Sequence, residues 1–217
     1  MKYLILLIYI FASYFFYAQE NNFDFYFKTP QPKDVEKIDK IDKSHEGIYY
    51  KKNDSLIKII VTQDSIYIEF GIVLIYTEKE IDNNKKLYLS NSLLFGVVKD
   101  HGLSYINSND TLYSLLLQTE TIYKQDNNME LRKLDNKYYL SSKEKIYYFL
   151  RCFNFNANKL IIEDIDNTQN FNLIQKISDV NIVNNKGLSS YILNPTLSEF
   201  TNFVNNNGFT DLVEYYR

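Results

Sequence analysis

From Gly47 onward, apolar and polar side chains alternate with a period of two. Between Leu56 and Thr62, Ile57, Ile59 and Val61 share one face, with Leu56, Lys58 and Ile60 on the other; between Ser65 and Phe70, Ile66, Ile68 and Phe70 oppose Ser65, Tyr67 and Glu69. Thr62, Gln63 and Asp64 supply turn chemistry between the two runs. This predicts a hairpin with one wet face and with Ile57, Ile59, Val61, Ile66, Ile68 and Phe70 turned to a core. Similar short runs follow at 86–90, 93–98, 103–106, 111–117, 121–124, 129–134 and 137–140, with breaks rich in Asn, Asp, Ser and Gly. Breaks this short suit antiparallel strands in a meander, because parallel neighbours need long crossovers. Residues 77–86 are the exception, with room for one helical turn.

Residues 137–165 echo 48–70: paired tyrosines, a polar turn, a long strand, a turn and a short strand. Tyr49 stands eight positions before Ile57, and Tyr138 stands eight before Ile146. The identical positions are few and of common types, so chance resemblance stands beside internal duplication as the explanation.

The period changes at both ends of the chain. Asp34 is placed to cap a helix on which Val35, Ile38 and Ile41 recur every third residue, so a lead-in over 19–45 is expected to hold a short helix with a thin apolar stripe, or to act as a charged stalk. After Ile165 the regularity fades, leaving room for a short helix or irregular strand. Then Thr196 with Glu199 reads as a capping box, Leu197, Phe200, Phe203 and Val204 as a stripe, and Gly208 as a stop. A capping helix over 196–207 and a final strand within 212–216 are expected. The fold class is mainly β: an antiparallel meander forming a barrel-like or two-sheet core, with a short N-terminal helix and a C-terminal capping helix, in a single domain over 46–217.

Composition supports the same class. Tyr 20 and Phe 15 make the chain 16% aromatic, and such side chains fit a pleated, half-buried surface. At the start, Lys2 precedes an uncharged apolar run from Tyr3 to Ala18, followed by Gln19 and Glu20. That is the order of a cleaved signal peptide over 1–18, shorter than the ~20 apolar residues of a spanning helix, although Phe16 is bulky where a small residue is preferred. No Cys stands at the cleavage point to carry a lipid, and no later segment is apolar enough to span a bilayer. A secreted or periplasmic bacterial protein is therefore expected, and the wealth of Asn, Lys and Ile fits an AT-rich genome. Removing residues 1–18 takes away Lys2 alone, leaving 23 basic against 27 acidic side chains, a net charge of −4. With no basic face, nucleic acid and anionic membrane surfaces are poor partners.

Chemistry is sparse. His45 and His101 are the two histidines, and neither spacing matches a zinc pattern. There is no G-x-S-x-G elbow or phosphate-binding glycine loop, and the single Cys152 alternates with Ile146, Tyr148 and Leu150 as a buried hydrophobe would. No catalytic residue, metal or cofactor is assigned, though scattered carboxylates leave a glycoside hydrolase as a minor alternative. The triplets Asn53-Asp54-Ser55 and Asn109-Asp110-Thr111 read as turns entering strands. The candidate binding residues are Tyr49, Tyr50, Tyr67, Tyr147 and Tyr148, which place large rings with polar tips on both faces of the expected strands; packing a core and its rim is the competing reading. The overall shape resembles small lipocalin-like barrels at the level of architecture, which implies a cavity but no particular ligand. The expected function is an exported, non-enzymatic module binding an unknown small ligand or protein. The alternative is an envelope interaction protein working through strand edges or its C-terminal helix.

Overall fold

Alternating β-branched and aromatic side chains give the chain a mainly β, antiparallel structure. The computed structural model describes residues 23–126, 128–166, 170–185 and 188–217, and the expected signal segment lies outside them. In chain order come β1 (Phe23–Phe27), β2 (Lys37–Ile38), a 3-10 turn (Lys43–His45), β3 (Gly47–Lys51), β4 (Asp54–Val61), β5 (Ser65–Thr77) and α1 (Glu78–Asn83). Then follow β6 (Tyr88–Ser90), β7 (Leu93–Val98), β8 (His101–Ser108), β9 (Thr111–Lys124), β10 (Met129–Leu134), β11 (Lys137–Glu144), β12 (Tyr147–Asn156) and β13 (Lys159–Asp164). The chain ends with α2 (Phe171–Ile174), β14 (Val180–Asn185), β15 (Leu188–Leu193), α3 (Leu197–Asn205) and β16 (Asp211–Tyr216). Two compact units result: the described residues up to Lys40 with Gln125–Glu214, and Ile41–Lys124 with Tyr215–Arg217. Among the described residues β14 pairs with β15 alone and β6 with β7 alone, so the sheet has free ends and is not a closed barrel.

The unit built on Ile41–Lys124 has the strand order β3-β4-β5-β9-β8-β7-β6. Ile57 pairs with Phe70, Ile59 with Ile68 and Val61 with Ile66; Ile59, Val61 and Ile66 are buried, and the other three are half-buried. At the end of β5, Thr77 Oγ1 accepts the Glu80 N–H at 3.2 Å while the Glu80 carboxylate accepts the Thr77 N–H at 2.8 Å, a reciprocal cap that starts α1. The helix reverses the chain, and β6 to β9 return as a second meander whose last strand lies against β5. Two of its three hairpins turn at Asn91-Ser92 and Asn109-Asp110, where both residues have positive φ, the twist that two-residue loops need. Gly96 has φ +88°, and a Cβ there would stand 1.8 Å from the Lys86 carbonyl oxygen. Ile81, Leu94 and Leu112 form a small core at this end.

The other unit is arranged around β12. β11 runs along one edge of β12 from Lys137↔Asn154 to Glu144↔Tyr147; on the other edge β13 takes the C-terminal half and β1 meets it at Phe27↔Tyr148. β1 lies parallel to β15, Phe25 opposite Tyr191 and Phe27 opposite Leu193, and β15 is antiparallel to β14. This parallel pair departs from the all-antiparallel expectation, and it is possible because β1 and β15 come from distant parts of the chain with no tight turn to fix their sense. Residues 23–27 are therefore a core strand within the expected lead-in. Phe25 and Phe27 pack with Tyr139, Leu150, Cys152, Phe200, Phe203 and Phe209.

The expected helix over 34–41 does not form. Asp34 has φ +64°, and Lys37–Ile38 is a strand pairing with Arg132 and Leu131 of β10. Three apolar residues give too short a stripe to hold a helix below the ~12 residues at which isolated helices become viable. The edge of β10 instead satisfies the backbone directly, and the Arg132 guanidinium donates to the Pro32 carbonyl at 2.8 Å.

α3 begins at a second capping box. The Glu199 carboxylate accepts the Thr196 N–H at 2.8 Å and the Ser178 N–H at 2.9 Å. Hydrogen bonding to the Ser178 side chain, then to the Thr196 and Ser178 backbone, holds Glu199 at about 2 against an ordinary 4.5. The folded value lies below the unfolded one, so this stabilisation is present above pH 4.5 and is lost as pH falls from there to about 2. Urea midpoints on either side of that interval are expected to fall more steeply for the wild type than for Glu199→Gln; equal slopes would show that the carboxylate contributes nothing.

Candidate functional site

The two longest strands carry the most unusual surface. β5 reads Phe-Gly-Ile-Val-Leu-Ile-Tyr over 70–76, and β9 reads Leu-Tyr-Ser-Leu-Leu-Leu over 112–117. In both, apolar residues occupy consecutive positions, the pattern of strands covered on both faces. Gly71 pairs with Leu117, Val73 with Leu115 and Ile75 with Tyr113, and Ile106 of β8 pairs with Tyr113. Period two puts all of these on one face. On the opposite face the distal end is covered within the unit: Leu112 is buried with Ile81 and Leu94, and Ser114 is buried with its hydroxyl donating to the Ser104 carbonyl at 2.8 Å.

The first face is open. Ile75 is 60% exposed, Ile106 74% and Leu117 53%, and Leu56, Val73, Tyr113 and Leu115 are also exposed. Together these residues expose on the order of 700 Å², the Tyr113 hydroxyl and backbone included, at the upper end of the roughly 300–600 Å² of the largest patch on a typical monomer. The patch is flat. Gly71 contributes no side chain, but Leu115 Cδ1 and Leu56 Cβ come within 2.9 and 3.4 Å of where its Cβ would stand, filling the gap. The row beyond Gly71 on the same face holds Lys58 and Glu69, an ion pair at 2.6 Å.

No family model, curated protein or solved structure matches this chain. The surface is therefore read from its own chemistry. It can exclude water from a second apolar surface, and it presents no nucleophile, general base or metal-ligating group.

The five tyrosines are divided between the two units. Tyr49, Tyr50 and Tyr67 belong to one unit, Tyr147 and Tyr148 to the other. Tyr49 is buried, its hydroxyl donates to the His45 carbonyl at 2.9 Å, and Arg217 lies over its ring; burial raises the hydroxyl's pKa, with Arg217 opposing. Tyr50 is exposed opposite Lys58, and Tyr67 is half-buried between Ile60 and Thr121. Tyr148 packs against the core, whereas Tyr147 lines a cleft of about 280 Å³ with Tyr26, Glu144, Ile146, Val183 and Ile192. There the Tyr26 and Tyr147 rings are 6.4 Å apart and the Tyr26 hydroxyl donates to Glu144 at 3.1 Å.

His45 lies in the 3-10 turn before β3, and His101 opens β8. Four strand spacings separate β3 from β8, about 19 Å across the sheet, too far for a shared ligand. Among the described residues no group of three or more His, Cys, Asp or Glu is placed to hold a metal ion. Asn53 and Asn109, the heads of the two Asn-X-Ser/Thr triplets, sit in hairpin turns at positive φ. Cys152 is fully buried on β12 between Tyr139 and Glu163; burial first, then the Glu163 charge, pushes its thiol up, so it stays protonated. The sequence signal for the exposed face is the end of strict alternation at Phe70, after which apolar residues occupy both faces of β5.

Proposed function

We propose that the protein is an exported, non-enzymatic interaction module whose working surface is the open face of β5, β9 and β8. The observation that carries this reading is that ribbon's apolar character on both faces when one of them is left exposed. Solvating such a face is unfavourable by about 25 cal/mol for every Å² of it, and burial against a partner recovers that free energy. Lys2 with the apolar run Tyr3–Ala18 supports export. A small-ligand reading has the cleft at Tyr26 and Tyr147 in its favour, but about 280 Å³ falls just below the roughly 300–1,000 Å³ of most ligand pockets.

The test is a photo-crosslinking residue at Tyr113, activated in cells that make the protein. A discrete adduct that disappears with Leu115→Lys is expected. An absence of any adduct would remove the reading.

A further inference from the structure

We infer that the occupant of this face is a second copy of the same chain, the two faces stacking as layers of a sheet sandwich. The inference rests on the face being the working surface, and it names the partner. Three features point to a like partner. Leu56, Val73, Ile75, Ile106, Tyr113, Leu115 and Leu117 carry no charge, so stacking them on the same residues of a second copy brings no like charges together, with Asp54 of β4 at the margin of the same face. The charged border at Lys58 and Glu69 is neutralised within one chain at 2.6 Å, so a two-fold mate faces a closed ion pair rather than a bare charge.

Area is the second feature. Roughly 700 Å² from each copy gives about 1,400 Å² in all, inside the ~1,200–2,000 Å² of stable interfaces. The third is shape. Leu56 and Leu115 fill the gap at Gly71, so no side-chain-sized hollow interrupts the face there, and sheet layers pack face to face about 10 Å apart. The same stacking covers the exposed side of the apolar-rich runs at 70–76 and 112–117.

Sedimentation velocity of the full protein, expressed with its own N-terminal segment and followed over concentration, reads the result. The wild type is expected to sediment at twice the monomer mass. Leu115→Lys and Ile75→Lys should weaken self-association at least about 100-fold, because each buries an unpaired ammonium, and both should keep the wild-type circular dichroism. Ile146→Lys, at a 70% exposed position in the other unit, should leave the dimer unchanged. A wild type that stays monomeric, or a Leu115→Lys protein that stays dimeric, overturns the inference. If the lysine variants fail to fold, the Tyr113 crosslink decides: a self-adduct of twice the mass supports it, and an adduct with another protein overturns it while sparing the interaction-module reading. No adduct removes both.

Discussion

Phe200→Ala is expected to lower the unfolding free energy of its unit by about 3–5 kcal/mol. Phe200 is 1% exposed, its ring meets Tyr139 edge-on with centroids 5.2 Å apart, and Phe203 and Phe209 complete the same cluster. The neighbours belong to β11, α3 and the segment leading into β16, whose backbones are fixed by hydrogen bonds, so they cannot collapse into the space left behind. Both the lost transfer free energy and the cavity then count. Against a total of roughly 5–15 kcal/mol for a domain, the loss is a large fraction. Urea titration followed by tyrosine fluorescence should show the midpoint falling sharply, while Ser198→Ala, on the exposed side of the same helix, should move it by less than about 0.5 kcal/mol. Similar midpoints for the two variants would mean that α3 is not held by its apolar face.

Lys137→Met is expected to cost about 3 kcal/mol. The Glu163 side chain is 7% exposed, and its carboxylate accepts from Lys137 Nζ at 2.7 and 3.0 Å and from Asn154 Nδ2 at 3.0 Å. Removing the ammonium leaves a buried carboxylate with one amide donor and the weak Cys152 thiol, a poor exchange for water. The lower end of the usual range applies because Lys137 is itself partly exposed and its charge is screened. The double variant Lys137→Met with Glu163→Leu removes the orphaned charge and should recover most of the loss. If the double variant is no more stable than Lys137→Met, the penalty lies in lost packing and not in the stranded carboxylate.

Local regularities of the strands were legible because they depend on near neighbours. The turn at Thr62–Asp64 fixes Val61 opposite Ile66, and the two-residue period then places Ile57, Ile59, Ile68 and Phe70 without reference to the rest of the chain. Residues 34–41 mislead for the converse reason: Ile38 is held by Leu131, far away in sequence, and nothing in the segment itself announces that edge. β1 was hidden in the same way, since its partners lie in β12 and β15. The tyrosines were singled out by residue type, and type alone does not tell a buried ring such as Tyr49 from one lining a cleft such as Tyr147. The open face needed the absence of a pattern to be noticed, which is harder than noticing its presence.

β1 also has a consequence for the order of events when the chain is made. The slot it fills lies between β12, which it meets at Tyr148, and β15, which ends at Leu193, so it does not exist until most of the protein has been synthesised. Ile41–Lys124 is contiguous and can begin pairing as soon as it emerges, whereas Phe23–Phe27 must wait, extended and without its neighbours. Loop closure over so long a span is slow, and β1 cannot be seated before β15 has been made.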